Sequence, residues 1–540
     1  YKRQACGLQS SVLGGQANTI FNVTRATISG GYSNYICTAS CYAITGSGVY
    51  NCIQDDSTYA SVGNGFSNCI ICSGKATLLN GCRNVISQST YAVSGSGYCN
   101  CIICASKFAI IGNGTNNIIS KGAVYGNIIS ACNSCICGSA SNDYAIYNSI
   151  ITGKENIICG CSTSFNQCHA TILNGCQQRI CESNHSLIGN GCANCIVCSN
   201  AVTILNGCEN VSSVSSSGYL SIQSTILNGA CNCVSGFQNS TLLAGTCNVL
   251  NDVANTLAQG FCNIACNAEY AIIQGVCNEI QFTLSGYGRT DSHIVFGGNR
   301  NKILTSISGY QTSRDIIIGG CSNLICEADC SMIASAKNSC ICSASSYGCK
   351  VQDAIILGGC ANKILVTSGC ASDQICSNAI VGSTNTIIED SCHSIVLGGS
   401  TNLVCYGSAY SSILGGCANQ SCGYSSIHLI GDNLCASKAC TTFVNCLSIC
   451  NVPTQCTTPS STDQVLIRDN TTGAVNYAPF SAFGGGGGGG IIVLDTGNCS
   501  TVRCGVSNIA SGNCSAALSG CGNCSRGCNS LVVGGQLNIA

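Results

Sequence analysis

The 540-residue sequence has no Trp, one Met and three Pro, and only 8 % of its residues are charged. Each shortage removes a class of protein. With 20 basic and 21 acidic side chains the net charge is −1, too little for an electrostatic grip on nucleic acid or an anionic membrane. Three prolines exclude a collagen-like or proline-rich chain. There is no apolar run of 18 residues, so no membrane-spanning helix is expected, and no signal peptide is visible. Disorder also requires low hydrophobicity, whereas 45 % of these residues are hydrophobic. What the chain does have is 65 Gly and 52 Cys. That cysteine load suits a small disulfide scaffold, but such scaffolds are short.

A repeat accounts for the bias. The phrase Gly14-Gly15-Gln16-Ala17-Asn18-Thr19-Ile20 returns as Gly30-Gly31-Tyr32-Ser33-Asn34-Tyr35-Ile36 and again as Gly358-Gly359-Cys360-Ala361-Asn362-Lys363-Ile364. Its Asn recurs at Asn18, Asn34, Asn51, Asn68, Asn84, Asn100 and Asn117, a spacing of 16 or 17. Ser134, Gln178 and Ser339 take the slot where Asn is missing, and later markers run through Asn362, Asn385, Asn402, Asn419 and Asn433. Intervals of 22 or 23 read as one repeat plus a six-residue loop. A period of 16 is too short for helical repeats. Each unit instead holds two short β-branched stretches, such as Ala26-Thr27-Ile28 and Asn34-Tyr35-Ile36, separated by a Gly turn. The expected fold is all-β, a parallel β-solenoid with two strands and two turns per coil. Gly fills turn positions, and the Asn side chains stack into a ladder. Roughly 24 coils at about 4.8 Å make a rod on the order of 115 Å long. A coil this thin has little core, so a homotrimer is expected.

Four segments follow: a rod over 1–436, a neck and β-hairpin spacer over 437–483, a poly-Gly run over 484–490, and a second solenoid beginning in 491–540. The hairpin is Gln464–Arg468 and Val475–Tyr477 around an Asn-Thr-Thr-Gly turn. The seven glycines read as a flexible linker or, alternatively, as three runs packed on a trimer axis. The second array is spaced by 15 residues through Asn508, Asn523 and Asn538. With no initial Met and a stop in mid-phrase at Ala540, the chain reads as mature or incomplete at its ends.

The short Gly/Asn coil resembles the heads of trimeric autotransporter adhesins, which are left-handed β-rolls of three chains. Ser507-Asn508-Ile509-Ala510-Ser511-Gly512 and Val532-Val533-Gly534-Gly535-Gln536-Leu537-Asn538-Ile539-Ala540 resemble repeat arrays of tail-fibre-like proteins in phages and large DNA viruses. The resemblance implies a trimeric fibre on a virion, located at the virion surface or outside cells, with host attachment through a glycan or receptor. Partners would be other copies of the chain and other virion or surface proteins, with no nucleic acid and no membrane span. A cell-surface adhesin or filament is the alternative, and a polysaccharide-cleaving tailspike a further one. Cysteine content departs from the adhesin heads, which are nearly free of it.

Many cysteines recur in phase. Cys231, Cys247, Cys262 and Cys277 precede the marker by one residue, and Cys176, Cys192 and Cys208 precede it by two. Cys137, Cys159, Cys181, Cys326 and Cys342 follow it by three. Neighbours about 4.8 Å apart fall within the Cα range of a disulfide, so coil-to-coil or chain-to-chain bridges are expected. The alternative is stacked reduced thiols acting as small apolar fillers. Three C-x-x-C pairs (Cys69/Cys72, Cys101/Cys104 and Cys195/Cys198) have zinc-like spacing, but β-branched residues between them oppose convergence. The Gly-rich turns lack a Gly-Lys-Ser/Thr, and so are not read as nucleotide loops. His169, His185, His293, His393 and His428 show no common phase and read as exposed loop residues. No pair of acids, among them Asp55-Asp56 and Glu389-Asp390, is fixed across a cleft as glycoside hydrolysis requires. The expectation is a structural protein without enzyme activity, cofactor or metal. Contact loops are expected at 139–147 and 213–221, which are rich in Tyr and Ser. A flat Thr-x-Thr array, which an ice-binding solenoid would need, does not recur.

Overall fold

The computed structural model describes residues 4–138, 145–160, 167–213, 223–236, 239–251, 256–266, 270–282, 292–305, 314–343, 351–367, 375–445, 464–468, 471, 475–479, 492–494, 500–503 and 507–540. The chain divides into two compact units, Tyr1–Leu447 and Ser448–Ala540.

One coil of the first unit shows how the sequence makes the fold. In the strand Cys69–Ile71 the alternation of side chains turns Ile70 inward and its neighbours outward. The chain then turns at Ser73, whose hydroxyl donates to the Ile71 carbonyl at 2.7 Å. Ala76 lies against the second strand, Thr77–Leu78, which turns Leu78 inward. A glycine turn returns the chain to Asn84, where the next coil begins. Each coil thus has five inward side chains, here Asn68, Ile70, Ser73, Ala76 and Leu78, all with zero exposure. Three residues of this coil are left-handed without being glycine: Cys72 at the end of the first strand has φ of +48°, and Lys75, just before the inward Ala, and Arg83, just before the Asn, both have +56°. Such residues cost roughly 1–2 kcal/mol each, so stacking, not local preference, holds them.

Coils add in parallel. Cys69 pairs with Cys52 in the preceding coil and with Val85 in the following one, while Thr77 pairs with Ser61 and Val93. Among the described residues this yields one sheet of 23 strands and one of 26. No residue there is helical. The fold is the parallel β-solenoid expected. Its core is a pair of aliphatic columns, for example Ile53, Ile70, Ile86 and Ile102 from the first sheet, each residue worth about 1.5–3 kcal/mol of burial. The rod passes residue 436, because Thr442–Val444 pairs with His428–Ile430 and continues the second sheet.

The longer coils place their extra residues between the first strand and the second. The corner segments before the second strand also pair: Ala328–Asp329, Val351–Gln352 and Ile375–Cys376 form their own parallel sheet, and Ala145–Ile146 pairs with Gln167–Cys168. Of the expected contact loops, 139–144 and 214–221 lie outside the described residues.

In the second unit, Gln464–Arg468 and Val475–Pro479 pair antiparallel, the expected hairpin. Stacking of coils resumes with Thr501–Arg503 on Ala516–Ala517 and Ile509–Ala510 on Cys524–Ser525. The poly-Gly run 484–490 lies outside the described residues.

Candidate functional site

No single cleft gathers the chemistry-bearing side chains. They form columns, one residue per coil. The innermost is the Asn ladder. Each Asn accepts, on its Oδ1, the backbone N–H of the Asn one coil on: Asn34 to Asn18 at 2.9 Å, Asn51 to Asn34 at 3.0 Å, Asn68 to Asn51 at 3.0 Å. The column continues through Asn84 (3.1 Å), Asn100 (3.0 Å) and Asn117 (3.1 Å). The Nδ2 groups cap turn carbonyls, as Asn34 does on Gly48 at 2.8 Å and Asn117 on Ala131 at 2.7 Å. Ser134 and Gln178 carry the ladder where Asn is absent, accepting from the N–H of Asn156 at 3.2 Å and of Asn194 at 3.1 Å. Two expected markers are corrected. The residues that donate to Asn362 and Asn419 are Thr386 (3.1 Å) and Leu434 (3.0 Å), not Asn385 and Asn433. Those two occupy the left-handed position one residue earlier, with φ of +50° and +53°, a conformation Asn tolerates better than most residues.

The outer corner before the second strand carries a ring column that sequence reading does not anticipate. Tyr42 stacks on Tyr59 with centroids 4.7 Å apart. Tyr91, Phe108, Tyr125, Tyr147, His169 and His185 then stack in succession at 4.8–5.1 Å and 6–14°. Lys75 covers Tyr91 at 4.7 Å, and Arg25 covers Tyr42 at 5.1 Å. His393 stacks on Tyr410 in the same slot farther along. Three of the five histidines therefore share one phase, contrary to expectation. His293 is wholly buried, its Nδ1 3.7 Å from Asp315, and is not a loop residue. A ring in this column presents its edge to solvent and its faces to neighbours, so the column stiffens the corner, at about 0.5–1.5 kcal/mol per pair.

Cysteine columns are brought together as the phase implied. Cys137, Cys159 and Cys181 are in register on the outer face of the first sheet, as are Cys326 and Cys342. Cys176, Cys192 and Cys208 bridge in succession, and Cys231, Cys247, Cys262 and Cys277 fill consecutive left-handed positions at +53° to +57°. None of the twelve is bridged to its column neighbour. Among the described residues the disulfides are Cys340–Cys342, across Ile341 on one strand, and Cys422–Cys435, diagonal between coils. The reason is geometric. In-register parallel residues carry parallel Cα–Cβ bonds about 4.8 Å apart, whereas a disulfide needs its Cβ atoms about 3.8 Å apart. Within one chain these columns are thus of thiols, and the bonds among the described residues form where side chains converge.

Cys135 and Cys137 repeat the Cys340-Ile341-Cys342 pattern, with their sulfurs 3.1 Å apart. The hydrogen bond from Cys135 holds the Cys137 thiol down at about 6, while Cys135 itself is pushed up. Cys181 is likewise held at about 6, by a hydrogen bond from Cys159 and by Arg179, whose Nε lies 2.9 Å from its sulfur. Burial pushes the Cys233 thiol up. At pH 7 Cys137 is therefore mostly thiolate. Allowing for the lower nucleophilicity of a low-pKa thiolate, it is expected to alkylate about tenfold faster than Cys233. Peptide mass spectrometry after brief iodoacetamide treatment checks this; equal rates at pH 7 would contradict it.

The second sheet's outer face changes character along the rod. Its early coils are mixed: one column reads Ser11, Thr27, Ile44, Ser61, Thr77, Val93, Ile110, and the parallel one holds Leu13, Ser29, Gly46, Gly63, Leu79 and Gly95. From Ile294 onward one column reads Ile294, Ile316, Met332, Ile355, Ala379, Ile395. The parallel column, two residues on, reads Phe296, Ile318, Ala334, Leu357, Val381, Leu397 and continues with Leu414.

A shallow groove runs beside Gln259, Phe261, Gln274 and Val276, and its lining holds no carboxylate. Among the described residues no three His, Cys, Asp or Glu side chains are grouped to hold a metal ion. In sequence comparison the chain matches no family model and no curated protein. Its function therefore has to be read from these columns.

Proposed function

We propose that this chain is a structural rod: the shaft of an extracellular fibre of the kind found on virion surfaces, with three copies side by side. The observation that supports this is the pair of inward columns, aliphatic in nearly every one of more than 20 coils, that runs from Ile20 to Val404 and from Ile28 to Leu429. A binding or catalytic protein breaks its repeat where it places a site. Here the inward departures, among them Ser212 and the buried pair His293 and Asp315, are confined to one or two coils, and the columns run on past them. Attachment through the inserted loops and a location outside the cell belong to the same reading, because a cysteine load of this size with formed disulfides suits an oxidising medium.

Negative-stain images of the purified chain are expected to show straight thin particles on the order of 115 Å long. Compact particles of near-equal dimensions would overturn the proposal.

A further inference from the structure

The coils from Ile294 to Ile430 leave a face of the second sheet uncovered that has the chemistry of an interior. Across six successive coils, from His293–Phe296 to Ile395–Leu397, both outward positions are apolar in every coil and none carries a charge. Two coils farther on keep the trend with Leu414 and Ile430. Phe296 is 53 % exposed, Leu397 40 % and Leu414 41 %. A contiguous apolar stripe of this length marks an interaction surface on a soluble chain.

A second observation concerns the residue that follows the outer apolar column. Gly297, Gly319, Gly358, Gly382, Gly398 and Gly415 occupy it at φ of +64° to +78°, and a Cβ added to any of them would meet nothing within 4 Å. The backbone alone does not require glycine there. Ser335 holds the same slot at +52°, and this chain uses non-glycine residues at left-handed positions in nearly every coil. What glycine contributes is a bare shoulder beside the apolar stripe, along which another backbone can approach closely.

We infer that this face, from Ile294 to Ile430, is where copies of the chain pack against one another. Three arguments identify the occupant as the same chain. The stripe is periodic at one coil per step, and over eight coils only a surface of equal period stays in step with it. It offers no charged group to a polar ligand or nucleic acid. Its half-exposed side chains would bury roughly 700 Å² per copy, close to the about 800 Å² per partner of a stable interface. The early coils interrupt the pattern, since Ser11, Thr27, Ser61 and Thr77 alternate with Ile44, Val93 and Ile110 in one column and Gly46, Gly63 and Gly95 break the other, so the continuous stripe is a feature of the distal coils.

The inference rests on the side-by-side rod reading and specifies its contact. The test is the sedimentation mass of the full chain in reducing buffer. The wild-type chain is expected at three times the monomer mass. Leu357→Lys/Leu397→Lys is expected to bring it down threefold, to monomer. Gly358→Lys/Gly398→Lys, whose added Cβ atoms would meet nothing within 4 Å, should do the same without disturbing the core. Thr27→Lys/Thr77→Lys on the same sheet should leave the mass unchanged. A monomeric wild type, or glycine variants that keep the wild-type mass, would overturn the inference. A twofold wild-type mass that both distal variants abolish would keep the face and overturn three copies. Particle length in the electron microscope reads the rod independently, so long monomeric particles would sink the interface and leave the rod standing.

Discussion

Asn194→Ala is expected to open the middle of the rod, at a cost of about 3–6 kcal/mol. Asn194 is fully buried and joins three coils. Its N–H donates to Gln178 Oε1 at 3.1 Å, and its Oδ1 accepts from both the N–H (3.0 Å) and the Nδ2 (2.9 Å) of Asn210. Its Nδ2 donates to the Gly207 carbonyl at 2.9 Å. Alanine leaves two donors and one acceptor without those bonds, at about 1–3 kcal/mol for each buried group left unmade. The two Asn210 donors are buried, and only the half-exposed Gly207 carbonyl can turn to water. In a stack where each coil touches only its neighbours, the loss is local. Amide exchange at Asn210 and Val211 should accelerate by about 100-fold or more, while exchange at Ile325, many coils away, stays as it was. Asn194→Ser should cost much less, because Ser134 and Ser339 already serve as acceptors in this column, at 3.2 Å from the N–H of Asn156 and of Asn362. Equal protection in the wild type and in Asn194→Ala would show that the ladder is decoration.

The same column shows what the sequence makes legible. The period, the two strands per coil and the substitutes Ser134, Gln178 and Ser339 can all be read from spacing, because a solenoid forces every coil to solve one problem with one set of inward residues. Asn385 and Asn433 mislead because the left-handed position beside the slot also favours Asn, and spacing alone cannot distinguish neighbours. The ring column is hidden for a different reason. Its members, among them Tyr42, Lys75, Phe108 and His169, share no side-chain type, only a place on an outer corner, and composition does not reveal a place. The cysteines sit in register as their phase implied, but the direction of their Cβ atoms, which decides bonding, is a property of the parallel sheet and not of sequence spacing. The apolar stripe was in principle readable as Ile-Ile-Leu and Ile-Val-Leu triplets, yet a triplet with one inward and two outward residues looks the same as a buried strand until the coil is closed.

Ser134→Asn is expected to destabilise the rod, and Ala131→Gly to restore it. The glycine three residues before each Asn lies under that side chain. A Cβ at Gly15 would fall 2.0 Å from the Gly31 carbonyl oxygen of the next coil and 2.6 Å from the Nδ2 of Asn18, one at Gly31 2.0 Å from the Gly48 oxygen and 2.7 Å from the Nδ2 of Asn34, and one at Gly320 2.1 Å from the Ala336 oxygen and 2.6 Å from the Nδ2 of Asn323. No real Cβ tolerates such contacts, so in a coil wound this way the Asn and the next coil's backbone together exclude a side chain at this glycine. The converse is visible in the chain. At three coils the ladder residue is shorter, Ser134, Ser339 or Thr386, and there the glycine has become Ala131, Ala336 or Ser383. Two positions are therefore coupled by one volume. Adding the amide back at residue 134 while Ala131 keeps its methyl overpacks the turn, at about 1–3 kcal/mol. Removing that methyl as well should return stability to within about 0.5 kcal/mol of wild type. Ala131→Gly alone should cost about 0.5–1 kcal/mol from lost packing and added backbone freedom. Urea unfolding of the four proteins measures the coupling directly, as a double-mutant cycle between residues in contact. An interaction energy near zero would mean that the paired replacements at these three coils are coincidence; one of about 1–3 kcal/mol would mean that the Gly-x-x-Asn phrase is a single packing unit, repeated once per coil because neither residue can change without the other.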